Sequence, residues 1–248
     1  MKINKVRALA AFSCLAAAAA CGETEEPYEF HGVLAAPPEG EAKGSLLFLP
    51  GEGFEAAAFG DLATKLSERG WSVAVPDGGE KAWTAALSQQ FDPEKCTVAG
   101  GFGEAGPFAM KYGAEHEADG VDGVILMGGN IPDGETYMIN EFPAAIITAE
   151  FDSLVTSGAA QMRGKDYPAH SFFINIRGGS RAGFVPGAHF DTDGEATMPP
   201  EEQQRVTFEI VDDLMKQLCA GRERRIRELA KKAARRAAGE PETSDDDD

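Results

Sequence analysis

A glycine-rich turn at residues 101–106 constrains the fold of this chain more than any other segment. It reads Gly-Phe-Gly-Glu-Ala-Gly, follows the apolar run Cys96–Gly100 and leads into Pro107–Tyr112. This order predicts a strand, a tight turn in which glycine admits positive φ, and a helix. From Val98 to Lys111 there is no Ser, Cys, Thr, Asp or His. Glu104 therefore carries the only nucleophilic side-chain atom of the turn.

Strand and helix patterns alternate on both sides of this turn. Further apolar runs that predict buried strands lie at 44–49, 71–77, 121–127, 144–148 and 171–176. A closing helix is predicted from Glu201 to Leu218, where apolar residues recur three or four positions apart. Strands that alternate with helices predict a mainly parallel sheet with helices on both faces, an α/β three-layer sandwich. With 43% hydrophobic residues, the chain is expected to form one such domain over residues 30–219.

Four motifs agree in order and spacing with a known family. They are the turn 100–103, a strand leading to Asp152, the segment 178–184, and Asp193-Gly194-Glu195-Ala196-Thr197 followed by Glu202-Gln203. Over residues 30–218 the chain resembles the bacterial α/β-hydrolase family that includes dienelactone-hydrolase-like proteins. The resemblance implies the α/β-hydrolase fold and, for an intact member, hydrolysis of ester or related acyl bonds. In that family the turn is a nucleophile elbow, which lifts a serine above the sheet.

Two of the three catalytic positions implied by the resemblance are altered. Gly103 stands at the serine position and Arg181 at the histidine position, whereas Asp152 keeps the acid. A triad needs a hydroxyl that attacks and an imidazole that carries its proton, and arginine stays protonated in proteins. The chain is therefore predicted to be a degenerate member in which Asp152 neutralises Arg181 through an ion pair. Alternatively, the motifs are misaligned and the true Ser and His lie elsewhere, with His189 as the one substitute base.

Three functions remain open for such a domain. The first is a binding or structural pseudoenzyme with a small-molecule ligand in the relic cleft. There Glu52, in the oxyanion-hole loop, and Glu104 would favour a cationic or hydroxyl-rich ligand. The second is altered catalysis with Glu104 or Glu52 as the base that activates water. The third is weak esterase activity through His189 and water. Neither a cofactor nor a metal is expected, because Asp191-x-Asp193-Gly194-Glu195 lacks the remaining acids of a calcium loop.

The amino terminus is predicted to be an export signal. Residues 1–20 combine three basic residues with the apolar run Ala8–Ala20, and Cys21 follows in a context that resembles a bacterial lipobox. This predicts a mature chain that is lipidated at Cys21, tethered through residues 21–29 and anchored to a bacterial membrane. Gly22 favours the outer membrane, facing the periplasm, if the host is Gram-negative. The alternative is a soluble signal peptide that is cut nearby.

Charge separates the body from the carboxyl-terminal tail. Residues 21–219 hold 33 acidic and 12 basic residues, so charge does not favour nucleic-acid binding by the body. A basic helical tail is predicted over 220–238, and its segment Arg222–Arg236 carries eight Lys or Arg and two Glu. That segment is expected to contact anionic lipid, a partner or the acidic domain itself. Residues 239–248 are predicted to be an acidic disordered tail.

Two cysteines lie within the predicted domain. Cys96 begins the strand before the elbow, and Cys219 ends the closing helix. Helices run antiparallel to the strands of a parallel α/β sheet, so both cysteines are expected at the edge opposite the site. An exported chain meets an oxidising compartment, and the pair is predicted either to form a disulfide or to remain as two buried thiols.

Overall fold

A seven-stranded sheet forms the centre of the protein. In the computed structural model the described residues are 30–37, 40–79, 81–85 and 94–237. The predicted signal 1–20, the tether 21–29 with Cys21, and the tail 239–248 lie outside them. In chain order the strands are β1 (Gly32–Ala35), β2 (Ser45–Leu49), β3 (Ser72–Pro76), β4 (Thr97–Phe102), β5 (Val121–Met127), β6 (Ala144–Ala149) and β7 (Phe172–Ile176).

The sheet has the strand order β1-β3-β2-β4-β5-β6-β7 and is parallel except at one edge. β1 pairs with β3 in the antiparallel direction, whereas the remaining neighbours are parallel. The antiparallel edge strand is an addition to the sequence prediction. β4 lies between β2 and β5, near the middle of the sheet. The turn that follows β4 is therefore held by neighbours on both sides.

Helices cover both faces of the sheet. They are α1 (Gly60–Glu68), α2 (Ala105–Glu115), α3 (Ser157–Met162), α4 (Pro200–Ala220) and α5 (Arg222–Ala237), with 3-10 turns at Ala56–Phe59, Gly164–Asp166 and Ala182–Phe184. Buried residues of α1 and α4 pack with one face of the strands, and those of α2 and α3 pack with the other. Alternate strand residues point to opposite faces, so both apolar layers come from the same short runs. The predicted three-layer α/β sandwich is confirmed.

The carboxyl-terminal helix α5 is fixed to the body at its first turn. Arg222 Nε and Arg225 Nη2 donate hydrogen bonds to the buried Asp122 carboxylate at 3.0 and 3.2 Å, and the Thr97 N–H donates to it at 3.1 Å. Burial raises the pKa of Asp122, while the Thr97 N–H and the two guanidinium groups act in the opposite direction. These two arginines thus tie the first turn of α5 to the body.

Cys96 and Cys219 lie beside this anchor and are joined by a disulfide. Their Cα atoms are 5.6 Å apart, and 123 positions separate them in sequence. The bond connects the start of β4 to the last turn of α4, at the sheet edge where both cysteines were expected. Within the described ranges, no helix is long and apolar enough to cross a membrane.

Candidate functional site

The turn after β4 has the backbone geometry of an elbow. Gly103 has φ of +55°, and Glu104 returns to right-handed helical values before α2 begins at Ala105. The chain is tightly packed here, since a Cβ on Gly101 would lie 2.5 Å from the Ala105 carbonyl oxygen. The Gly103 N–H donates to the Met127 carbonyl oxygen at 3.0 Å. The predicted strand, tight turn and helix are all present.

Arg181 occupies the space above the elbow. Its side chain is 9% exposed, and a Cβ added to Gly103 would meet the Arg181 Nη2 atom at 2.8 Å. The guanidinium carbon lies 4.2 Å from the centroid of the Phe190 ring and 5.7 Å from that of Phe102. These rings support the cation on their faces. The volume that a serine side chain would need at position 103 therefore already holds the end of Arg181.

The carboxylate that pairs with Arg181 is Glu104. Arg181 Nη2 donates to the two Glu104 carboxylate oxygens at 2.9 and 3.1 Å, and the Glu104 side chain is 53% exposed. The predicted ion pair with Asp152 is wrong, because no hydrogen bond or ion pair joins those two described residues. Arginine is long enough to cross from the 3-10 turn at Ala182–Phe184 to the elbow. Its terminal nitrogen thus reaches the carboxylate beside the elbow.

Asp152 stays buried behind this pair, just after β6. Its Oδ1 accepts hydrogen bonds from the N–H groups of Leu154 and Val155 at 2.8 and 3.0 Å. Its Oδ2 is buried and has no hydrogen-bond partner in the described structure, and the same holds for Arg181 Nε. Burial raises the pKa of Asp152, the nearby Asp193 acts in the same direction, and the two N–H groups and Arg181 oppose it. One carboxylate oxygen of Asp152 is thus used to fix the following loop, and the other has no hydrogen-bond partner in the described structure.

Comparison with known proteins places this geometry in a family. The sequence model described as the alpha/beta hydrolase family matches residues 45–205, which include the elbow, Asp152 and Arg181. This chain belongs to the alpha/beta hydrolase family. A search of curated protein sequences finds no match. Many solved structures are similar in fold, among them two of low sequence identity.

The first of these structures is Est1E from Butyrivibrio proteoclasticus. It has a TM-score of 0.54 and 14% identity over 75% of this chain and 93% of that one. The second is a monoacylglycerol lipase from Paleococcus ferrophilus. It has a TM-score of 0.55 and 11% identity over 75% of this chain and 99% of that one. At such identities the likeness shows the shared α/β-hydrolase fold.

The hydrolase-family loops hold Arg181 in place through residues that sequence reasoning left without a role. Gln203 is fully buried in α4, accepts from the Ser180 N–H at 3.0 Å and donates to the Ser180 carbonyl oxygen at 2.7 Å. Asp193 accepts from the Ala182 N–H at 2.9 Å. Both contacts flank Arg181, which fixes its backbone. The sequence motif that contains Asp193 and Gln203 was the signal for these contacts. Only the folded structure shows that the two residues hold the loop around Arg181.

The other two sequence candidates lie at the surface. Glu52 is exposed in the loop after β2. The His189 side chain is 83% exposed, and its Nε2 lies 3.0 Å from Asp191 Oδ1. Among the described residues, neither Glu52 nor His189 bonds to Asp152, Arg181 or Glu104. The structure thus brings Gly103, Glu104 and Arg181 together, with Asp152 behind them, and leaves the substitute bases outside.

The described part of the chain contains no cluster of side chains suited to bind a metal ion. No group of three or more His, Cys, Asp or Glu side chains comes close enough there to hold an ion. Asp193, which belonged to the calcium-like segment, instead accepts backbone N–H groups from Ser153 and Ala182 at 3.4 and 2.9 Å. This aspartate therefore organises the loop around Arg181.

Proposed function

We propose that this hydrolase-fold domain is a catalytically inactive pseudo-hydrolase that acts as a binding or structural protein. The observation that carries the proposal is the 2.8 Å approach of Arg181 Nη2 to the position of a Cβ on Gly103. A nucleophile at the elbow would need that space. A permanent cation therefore stands where the fold positions attacking atoms, and no imidazole connects it to Asp152.

The proton relay is missing as well as the nucleophile. Acyl transfer at an elbow requires a base that removes a hydroxyl proton and returns it to the leaving group. Arginine does not give up its proton in proteins. Arg181 Nη2 donates hydrogen bonds to both Glu104 oxygens, and the guanidinium lies over the Phe190 ring. The residual acid, Asp152, bonds its own loop. No group at the elbow is thus arranged to pass a proton.

A ligand at this edge of the sheet would meet oxygen acceptors. Glu104 is about half exposed beside the elbow, and Glu52 is exposed in the neighbouring loop. Because Arg181 offsets the charge of Glu104, the surface is less acidic than the two carboxylates imply. Such a surface suits a hydroxyl-rich ligand, or a cationic one that competes with Arg181 for Glu104.

The alternative is a hydrolase with atypical or weak catalysis. Water activation by Glu104 would require that its carboxylate be free to accept a proton, but both oxygens accept hydrogen bonds from Arg181. His189 and Glu52 are exposed to solvent and lack the dry pocket that tunes a general base. No contact in the described site favours this alternative over the inactive form.

The proposed cellular setting is a bacterial membrane surface. A lipid on Cys21 would hold the domain on an outer membrane, facing the periplasm, if the host is Gram-negative. The lipobox-like sequence and the polar tether 21–29 support this proposal. The Cys96–Cys219 disulfide is consistent with it, because such bonds persist in oxidising compartments.

The test is an ester-hydrolysis assay on the chain from residue 22, which retains every described residue. With short-chain nitrophenyl esters, we expect no turnover above that of the denatured protein. The double variant Gly103→Ser, Arg181→His supplies the missing groups beside Asp152, and Asp152→Asn in that background is its matched control. Turnover that appears in the double variant and falls on Asp152→Asn would confirm the assigned positions.

Two results would oppose the proposal. Saturable turnover by the unmodified chain that a serine-directed phosphonate stops would show that the nucleophile lies elsewhere. Turnover that resists the phosphonate but is lost in Glu104→Gln would establish the water-activating alternative. A matched Glu115→Gln variant, at the far end of the helix that Glu104 precedes, controls for general loss of charge.

A further inference from the structure

A groove at the amino-terminal edge of the sheet is lined by basic side chains, although the body as a whole is acidic. It has a volume of about 670 Å³ and lies between the α4–α5 junction and the starts of β6 and β7. Its lining includes Arg224, Arg225 and His170 against a single carboxylate, that of Glu141. We call this feature the amino-edge groove. It is separate from the elbow, which lies at the carboxyl ends of the strands.

The two arginines of the groove differ in how they are used. Arg225 donates to Asp122 and to the Leu218 carbonyl oxygen, at 3.2 and 2.6 Å, and so fixes the first turn of α5. Arg224 is exposed, and no hydrogen bond or ion pair joins it to the described residues. His170 is likewise exposed at the groove. Arg224 and His170 are therefore available to an anion.

The same groove has apolar walls. Pro143, Phe172 and Ala220 line it beside the cationic groups. An occupant that satisfies the whole groove must carry both a negative group and hydrocarbon. Inorganic phosphate lacks the hydrocarbon. The acidic tail 239–248 brings six carboxylates, but Pro241 is its only apolar side chain.

A line of basic side chains continues from the groove along α5. Arg224, Arg227, Lys231 and Arg235 are all exposed, and their spacing of three and four residues places them on one side of the helix. They extend over about 16 Å at the rise of an α-helix. Ile226, which is 42% exposed, lies on an adjacent side. A line of basic side chains is attracted to the negative surface of an anionic membrane, and Ile226 adds one exposed apolar side chain beside it.

We propose that the amino-edge groove and this basic side of α5 bind anionic phospholipid. The phosphate of one headgroup contacts Arg224 and His170, its glycerol and the start of its chains pack against Phe172 and Pro143, and the remaining basic side chains attract neighbouring headgroups. The Asp122 anchor and the disulfide hold the groove and the first turn of α5 on the domain. The proposed lipid binding does not depend on whether the elbow is catalytically active.

Vesicle co-sedimentation of the chain from residue 22 tests the proposal. We expect binding to vesicles of phosphatidylcholine mixed with phosphatidylglycerol and none to phosphatidylcholine alone. Each basic side chain near an anionic bilayer contributes enough for Arg224→Gln to weaken binding about fivefold. Adding His170→Gln should weaken it further. Arg177→Gln is the matched control, since it removes an equal exposed charge just after β7, at the opposite edge of the sheet.

Competition experiments and variants of the acidic tail distinguish phospholipid from the other possible occupants of the amino-edge groove. Inorganic phosphate and glycerol phosphate should compete poorly, because neither fills the apolar walls. Strong competition by inorganic phosphate would assign the groove to a free anion and overturn the proposal. Binding that appears only after Asp245–Asp248 are changed to Asn would assign it to the chain's own tail. The proposal would also be refuted if neither the unmodified chain nor the variant with Asn at 245–248 bound anionic vesicles. Equal losses of vesicle binding in Arg224→Gln and Arg177→Gln would refute it as well.

Discussion

Gly103 and Arg181 should be energetically coupled, and a double-mutant cycle measures that coupling. Gly103→Ala places a Cβ at φ of +55°, which costs about 1–2 kcal/mol for an L-residue in this region. The same Cβ would lie 2.8 Å from Arg181 Nη2, so the end of the guanidinium must shift away from the elbow. The variant therefore suffers both backbone strain and displacement of Arg181.

The free-energy cost of displacing Arg181 can be estimated from the contacts that the guanidinium loses. The hydrogen bonds to the half-exposed Glu104 contribute about 1 kcal/mol, the upper end for exposed ion pairs. The stacking of the guanidinium on Phe190 contributes about 0.5–1 kcal/mol. With Arg181→Ala already in place these contacts are absent, and only the strain remains. We expect the double variant to be more stable than the sum of the two single changes predicts, by about 1.5 kcal/mol.

Urea unfolding followed by fluorescence of the buried Trp71 and Trp83 gives the four free energies of unfolding. The control cycle combines Gly103→Ala with Arg177→Ala, a residue without contact to the elbow, and should be additive within about 0.5 kcal/mol. A Gly103–Arg181 coupling below that limit would refute the reasoning. It would mean that the guanidinium leaves the elbow at no cost in free energy.

The remaining predictions concern the disulfide, the buried acid and the lipid anchor. Thiol labelling of the denatured, unreduced chain from residue 22 should find no free thiol, and two reactive thiols would contradict the bond. Changing Cys96 and Cys219 to Ser should lower the free energy of unfolding by about 4–5 kcal/mol in the chain-entropy description of a loop this long. Burial raises the pKa of Asp152, so its charged form lowers stability at neutral pH, and Asp152→Asn should stabilise the chain at pH 7. That gain should disappear as the pH falls below about 4, where Asp152 is protonated in both states, and a gain that persists in acid would show that ionisation is not its cause. Cys21→Ser should move the exported protein from the membrane fraction to the soluble fraction, and unchanged fractionation would point to another anchor.

Local patterns were sufficient to predict most of the fold. The elbow was predicted from Gly101 and Gly103, whose lack of side chains permits the close approach and positive φ seen there. The closing helix was predicted at 201–218 and extends over Pro200–Ala220. β1 was missed because Gly32–Ala35 is a four-residue edge strand whose burial alternates between exposed and intermediate. Its apolar run, Val33–Ala36, is too short to distinguish it from a loop.

The partner of Arg181 required the folded chain. The family resemblance placed Arg181 near Asp152, but a guanidinium stands farther from the backbone than an imidazole. Its end therefore reaches Glu104, while Phe190, in a loop nine residues later, supports the guanidinium on its ring face. Sequence can show which residue types share a site. The reach of a long side chain determines which of two nearby carboxylates it binds.

The packing of Arg181 over Gly103 also makes the order of mutations matter. If serine came first, its side chain would meet the guanidinium and would have no base to activate it. If Arg181→His came first, the space above the elbow would open, at the loss of the half-exposed pair with Glu104. A serine at position 103 could thus be introduced by single substitutions in one order more readily than in the other. Such an order dependence would be epistasis with a steric cause.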